Sequence, residues 1–268
     1  WLKPQGGVAA GGREPQLGLP GGRAAMSTRP WVAAASGAVA GAAVCVVLSK
    51  WAWRRNKRKV VLEAVRTRRS MFLQDLNGES APDSAVHAML EAANWAPTHG
   101  QTQPWRFSVF CRSTGHVQEF FKLQINASEA RLRQEGLPAD EERELKKFVT
   151  KQPKKAKDIS KCSHVVAISM KRRANPEKVM PEWEEVAAVA CAVQNAHLVA
   201  CQLGVAAYWS SGGCDGPLAT QDVRTLLELE DGDRCLGLFY IGMASEEAWR
   251  KSQARAARGP IEQKVSWY

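Results

Sequence analysis

Four short runs of strand character, separated by long helical patterns, limit the folds open to this chain. The runs lie at 105–111, 164–170, 205–209 and 235–241. Helical spacing of apolar residues fills the intervals at 60–68, 84–95, 116–159, 184–203 and 217–229. Pro97 ends the second helix, Gly204 closes the fourth, and Asp231-Gly232-Asp233 is a turn. Asp83 or Ser84 is the expected N-cap of the helix that begins after Pro82. Strands alternating with helices, without an internal repeat, predict a layered α/β or α+β sheet. A chain of 268 residues that is 45% hydrophobic can bury the core such layers need.

The formal charge of +10 would suggest a nucleic-acid or membrane partner if it were spread over the fold. It is not. Residues 1–62 hold ten Lys/Arg against one acid, Glu14, a net of +9. The remaining 206 residues carry 27 basic and 26 acidic side chains, a net of +1. A nearly neutral globular part argues against a nucleic-acid-binding face. The dense basic run 146–157 reads as a solvated helix face.

The basic part divides further. Residues 1–30 are rich in Gly, Pro and Ala and read as a disordered tail. Trp31 to Ser49 is a 19-residue stretch without charge, flanked by Trp31, Trp51 and Trp53 and followed by the basic run from Arg54 to Lys59. Two readings fit 31–59. It is a membrane anchor crossing through 31–53, with the following domain on the cytoplasmic or matrix side, the organelle being a mitochondrion or plastid. Alternatively it is a targeting segment cleaved near residue 59, which leaves an organellar soluble protein. The folded domain is expected over 60–268.

Familiar fingerprints of phosphate-loop, dinucleotide-fold, hydrolase and zinc chemistry are absent. Seven cysteines stand singly, with no zinc-ligand spacing. No metal site is expected. Two stretches remain. Arg68-Arg69-Ser70 offers two guanidiniums and a hydroxyl, the donors a phosphate monoester requires, although a solvated Arg pair at a helix end would look the same. The run A-P-T-H-G-Q-T-Q-P-W-R-F over 96–107 crowds His99, Gln101, Thr102 and Gln103 between two prolines and opens into aromatic residues. A planar heterocycle needs both kinds of contact.

From about Val60 to the C-terminus the chain resembles the nitroreductase family of FMN enzymes, and within it the small bacterial YdjA-like subgroup. The resemblance rests on Arg68-Arg69-Ser70, on the 96–105 run, on Pro181-Glu-Trp-Glu-Glu185 before the central helix, on Tyr208-Trp209-Ser210-Ser211-Gly212, and on Gly237-Leu-Phe-Tyr-Ile-Gly242, in the family's order. It implies an α+β fold, a three-layer α/β/α sandwich, and a homodimer with FMN at the interface. Arg68, Arg69 and Ser70 are then the FMN phosphate and ribityl contacts of one subunit, with Arg258 as a late cationic contact. Trp209, Ser210 and Ser211 line the flavin from the same subunit, and Trp95 and His99 reach it from the other. The flavin carries the chemistry, so no side chain is assigned a catalytic step. NAD(P)H is the implied electron donor, and a nitroaromatic, quinone or similar electron-poor small molecule the acceptor. Trp95 and Ser210 stand where relatives carry Arg, and the helical insert at 125–160 is not standard for the family. These departures keep two alternatives open: a non-catalytic accessory subunit with this fold, and a reductive dehalogenase like iodotyrosine deiodinase.

Overall fold

The computed structural model of the protein describes residues 59–172, 177–255 and 257–268. Four strands form one antiparallel sheet: β1 (Trp105–Cys111), β2 (His164–Met170), β3 (Ala206–Ser210) and β4 (Arg234–Gly242), in the order β1-β2-β4-β3. Six helices surround it: α1 (Asp83–Asn94), α2 (His116–Leu132), α3 (Ala139–Ile159), α4 (Glu182–Gln202), α5 (Gln221–Leu226) and α6 (Glu246–Ala254). Residues 59–67 are also helical.

The period of two along each strand produces the three expected layers. Val166, Ile168 and Met170 of β2, with Phe239 and Ile241 of β4, point to one face, where α1 and α4 cover them through Met89, Ala93, Val189 and Ala192. Val165, Ala167, Leu238 and Tyr240 point to the other, against Val117, Phe120 and Phe121 of α2 and Val223 of α5. Every residue of β2 is buried because both faces are covered. In α4 the small residues Ala188, Ala192, Ala196 and Ala200 let the helix lie close to the sheet.

Several expectations need correction. Asp83 is the first helical residue of α1, Pro82 holds the cap position, and the Asp83 carboxylate instead meets Nε2 of buried His164 at 3.1 Å. The stretch 116–159 is two helices, broken around Gly136, whose φ of +74° suits a residue without Cβ. The helix expected over 217–229 is confined to α5. The membrane-anchored placement is not upheld: among the described residues, no helix is long and apolar enough to cross a membrane. The longest, α3 and α4, are 21 residues each, but α3 is dense in charge and α4 turns its apolar side to the sheet and starts on Glu182, Glu184 and Glu185. The hydrophobic segment 31–53 and the tail 1–30 lie outside the described residues.

Candidate flavin site

Arg68-Arg69-Ser70 leaves the 59–67 helix and runs to β3, where the Met71 N–H donates to the Ala207 carbonyl at 2.9 Å. Buried His197 of α4 holds it from the side. Its Nε2 faces the carbonyls of Arg69 (2.8 Å) and Ala207 (3.1 Å), and Nδ1 lies 3.3 Å from Arg68 Nη1. A guanidinium only donates, so Nδ1 accepts and Nε2–H donates, which defines a neutral ring. Burial, assisted by Arg68, pushes the His197 pKa down to about 4. Cys201, one turn further along α4, accepts the Arg69 N–H at 3.4 Å, and burial pushes its thiol pKa up. It is therefore a backbone prop rather than a nucleophile.

The cations converge at this place. Burial lowers the Arg68 pKa; the Cys201 thiol opposes the shift, while nearby Arg258 and Arg69 add to it. Arg258, from the far end of the chain, thus lies in the same field. Arg69 Nη1 binds the carbonyls of Arg66 and Arg68, but its Nε is buried without a partner. Among the described residues, Arg68, Arg69 and Arg258 meet no carboxylate, and Ser70 Oγ has no protein partner. Three uncompensated guanidiniums, a hydroxyl and an orphaned N–H are a donor set that fits a phosphate monoester.

About 10 Å along β3 from Ala207, at the strand rise, lies the turn after Ser210. Trp209 is half-buried against the α1/α4 face, with its indole N–H on the Leu236 carbonyl at 3.2 Å. Its ring therefore braces the turn, and its polar edge points to β4. Ser210 Oγ accepts the Gly212 N–H at 3.3 Å. Gly237 of β4 makes the turn possible: its φ is +127°, and a Cβ there would sit 2.3 Å from the Ser210 carbonyl oxygen. Ser211 follows in the same turn, so Trp209, Ser210 and Ser211 share one edge of the sheet with the Arg cluster.

Trp95 and His99 do not join them. Trp95 caps α1 and is 81% exposed. His99 Nδ1 lies 2.5 Å from Glu184 Oε2, which ties the 96–104 loop to the start of α4. Inside that loop Thr98 Oγ1 meets Thr102 Oγ1 (3.0 Å) and accepts the Gln103 N–H (3.2 Å). Gln101 and Gln103 are held at φ of +55° and +45°, an uncommon conformation for residues with a Cβ, and neither side-chain amide has a hydrogen-bond partner among the described residues. Glu184 and His197 are thirteen positions apart on α4, about 20 Å. Within one chain, the loop and the Arg cluster therefore stand at opposite ends of a helix.

The sequence alone assigns no site role to His197, Cys201 or Gly237. The polar His at the Ala-rich end of α4 was the available signal. Its partners lie far away in sequence, so spacing could not reveal them.

An antiparallel sheet between helical layers, with a cluster of arginines at the β3 edge, defines an α+β fold with a candidate anion site. The nitroreductase family profile matches residues 65–243, and the chain belongs to that family. It is similar to YfhC of Bacillus subtilis (strain 168), a protein named for NAD(P)H nitroreductase activity, at 24% identity over 191 residues, 71% of this chain and 88% of the relative. Among solved structures it resembles a nitroreductase-like family protein from Bacillus cereus (TM-score 0.59, 18% identity, 78% of this chain and 95% of that one). It also resembles the FMN-dependent nitroreductase NfnB from Mycobacterium smegmatis in complex with NADPH (TM-score 0.55, 16% identity, 79% and 99%).

Proposed function

We propose that this protein is an FMN-dependent oxidoreductase that takes hydride from NAD(P)H and passes electrons to a nitroaromatic, quinone or similar electron-poor acceptor. The observation that carries this is the convergence of Arg68, Arg69 and Arg258 without a carboxylate, beside Ser70 and the β3 turn. Membership of a family with FMN-dependent, NAD(P)H-linked relatives supports it.

Bound FMN would supply reversible hydride and electron transfer at one ring face, which suits a ping-pong exchange of donor and acceptor. The protein's part is placement. Arg68, Arg69, Ser70 and Arg258 hold the phosphate, His197 keeps the Arg68-Arg69 backbone against β3, and Ser210 and Ser211 present the turn to the ring. Trp95 and His99 would complete the site from a second copy, because in one chain they lie a helix length away. The outer positions of α4 fit such a neighbour: Ala187, Cys191 and Gln194 are exposed, and the first two are small.

The test is a titration of the purified full-length protein with FMN, followed by anaerobic addition of NADPH or NADH. Saturable flavin binding, lost in Arg68→Ala/Arg69→Ala, and bleaching of the flavin absorbance by the nicotinamide are expected. Binding without bleaching would point to the accessory-subunit alternative, which Trp95 and Ser210 would then explain. A folded protein that refuses FMN would overturn the proposal.

A further inference from the structure

The basic run 146–157 is not a uniform solvated face. Lys146 pairs with Glu142, but Lys147, Lys151 and Lys155 stand four residues apart and share another side of α3. They line a cleft together with Ser210, Gly212 and Gly213 of the β3 turn and with Leu238 and Tyr240 of β4. Gly216 permits this approach. A Cβ there would lie 3.2 Å from Glu144 Cβ and 3.7 Å from the Leu145 nitrogen, so α3 rests directly on the loop after the turn. Along β3, Ala207 and Trp209 join the α1/α4 face, while Ala206 and Tyr208 join the α2/α5 face. The period of two sends Ser210 the same way as Tyr208. The cleft is therefore on the other side of the sheet from His197 and Cys201 of α4, which hold the Arg cluster.

The charges around this cleft do not balance. Its one acid, Glu144, already accepts from Lys147 Nζ at 3.1 and 3.2 Å. Lys151 and Lys155 have no ion pair or hydrogen bond among the described residues. Desolvation by burial lowers the Lys155 pKa, and the charges of Lys151 and Lys147 lower it further, so the three ammoniums share one field. Like charges at i,i+4 destabilise a helix, and this row repeats that spacing twice. Facing it, Ser210 Oγ accepts the Gly212 N–H, while its own O–H has no protein acceptor among the described residues. The Gly213 N–H has none there either. Three ammoniums against one carboxylate leave two positive charges beside two neutral donors. A phosphate monoester is the complement, with a charge of about −1.5 to −2 at pH 7 and acceptor oxygens only. The cleft volume of about 100 Å³ suits one such group, whereas sites for whole drug-sized ligands run from about 300 Å³ upward.

We infer that the cleft between α3 and the β3 turn binds the phosphate monoester group of a small molecule. Lys151 and Lys155 are its counter-ions, Lys147 is shared with Glu144, and the Ser210 hydroxyl and Gly213 N–H are further donors. Two sources carry this chemistry: the 2′-phosphate of NADPH, which NADH lacks, and the phosphate of a phosphorylated acceptor. The site stands on the cleft alone, and only the NADPH source rests on the proposed flavin chemistry.

Calorimetric titration of the full-length protein with inorganic phosphate and with 2′-AMP, in phosphate-free buffer of low ionic strength, tests this. Saturable phosphate binding that survives Arg68→Ala/Arg69→Ala is expected, weakened about tenfold or more when Lys151→Gln and Lys155→Gln are added. In the otherwise unchanged protein, the two lysine changes should leave FMN binding intact. They should also hold the melting temperature level or raise it, since they remove like charges from one helix face. Binding of 2′-AMP about tenfold tighter than phosphate assigns NADPH as the source, and no gain over phosphate assigns a phosphorylated acceptor. No saturable binding, binding indifferent to the lysine changes, or loss of FMN along with them would each overturn the inference. The two proposals fail separately. A protein that takes FMN but no phosphate overturns this one alone, and one that binds phosphate at the lysines but refuses FMN overturns the flavin reading alone.

Discussion

At the scale of single residues, His197 makes a pH-dependent claim. Its folded pKa is near 4 against an ordinary 6.5. Between those values the unfolded chain binds a proton that the folded chain does not. The stability that His197 contributes is therefore complete above about pH 6.5 and is lost as pH falls toward 4, by up to about 3 kcal/mol. Thermal melts from pH 7 to 4.5 should show a steeper fall for the wild type than for His197→Gln, although the variant starts lower at pH 7. Parallel curves would remove the histidine from this role. Gly237 makes a steric claim. Gly237→Ala combines an unfavourable φ with a Cβ 2.3 Å from the Ser210 oxygen, and should cost about 2–4 kcal/mol in chemical denaturation. A smaller loss, within about 0.5 kcal/mol, would mean that the β3 turn moves aside easily.

At the scale of elements, a buried ion pair anchors the start of α4. Arg172, just beyond β2, donates to Glu185 at 2.5 Å and to the Met180 carbonyl at 2.9 Å, while its own N–H binds Asp233 before β4. Glu185 is 2% exposed, so removing the cation leaves a buried carboxylate unpaired. Arg172→Ala should lose about 3–5 kcal/mol, and adding Glu185→Leu should return most of it. Failure of the second change to rescue would show that the Met180 and Asp233 contacts dominate instead. This pair also shows what a sequence conceals. The strands were legible because their period of two is local, and α1 and α4 because a buried face repeats within each helix. The break near Gly136 was hidden by charged residues that suit a helix on either side. Arg68-Arg69-Ser70 and the 96–107 loop were legible as residue types suited to an anion and a heterocycle. Their placement at opposite ends of α4 was not, since it depends on which side of the sheet each connection returns to.

At the scale of the whole molecule, the described chain leaves apolar surface that an isolated domain would rarely tolerate. Val60, Val61, Leu62 and Val65 of the 59–67 helix are exposed, as are Trp95 and Trp183 near the two ends of the loop–α4 junction. Trp183, Ala187 and Cys191 repeat every four residues, which makes a continuous outer stripe on α4. A two-fold partner laid antiparallel on that stripe would bring the His99 end of one α4 toward the Arg68 end of the other, and so close the 20 Å gap that one chain leaves. Assembly and cofactor retention should then fail together. Cys191 is exposed, so Cys191→Arg leaves the protomer core intact while placing charge in the stripe. Sedimentation velocity should show the wild type as a dimer and the variant shifted to monomer, with flavin lost from the variant during gel filtration while its melting behaviour without FMN is unchanged. A monomeric variant that keeps a full complement of FMN would show instead that the Arg68 cluster and the β3 turn suffice alone, and that Trp95 and His99 serve the surface rather than the cofactor.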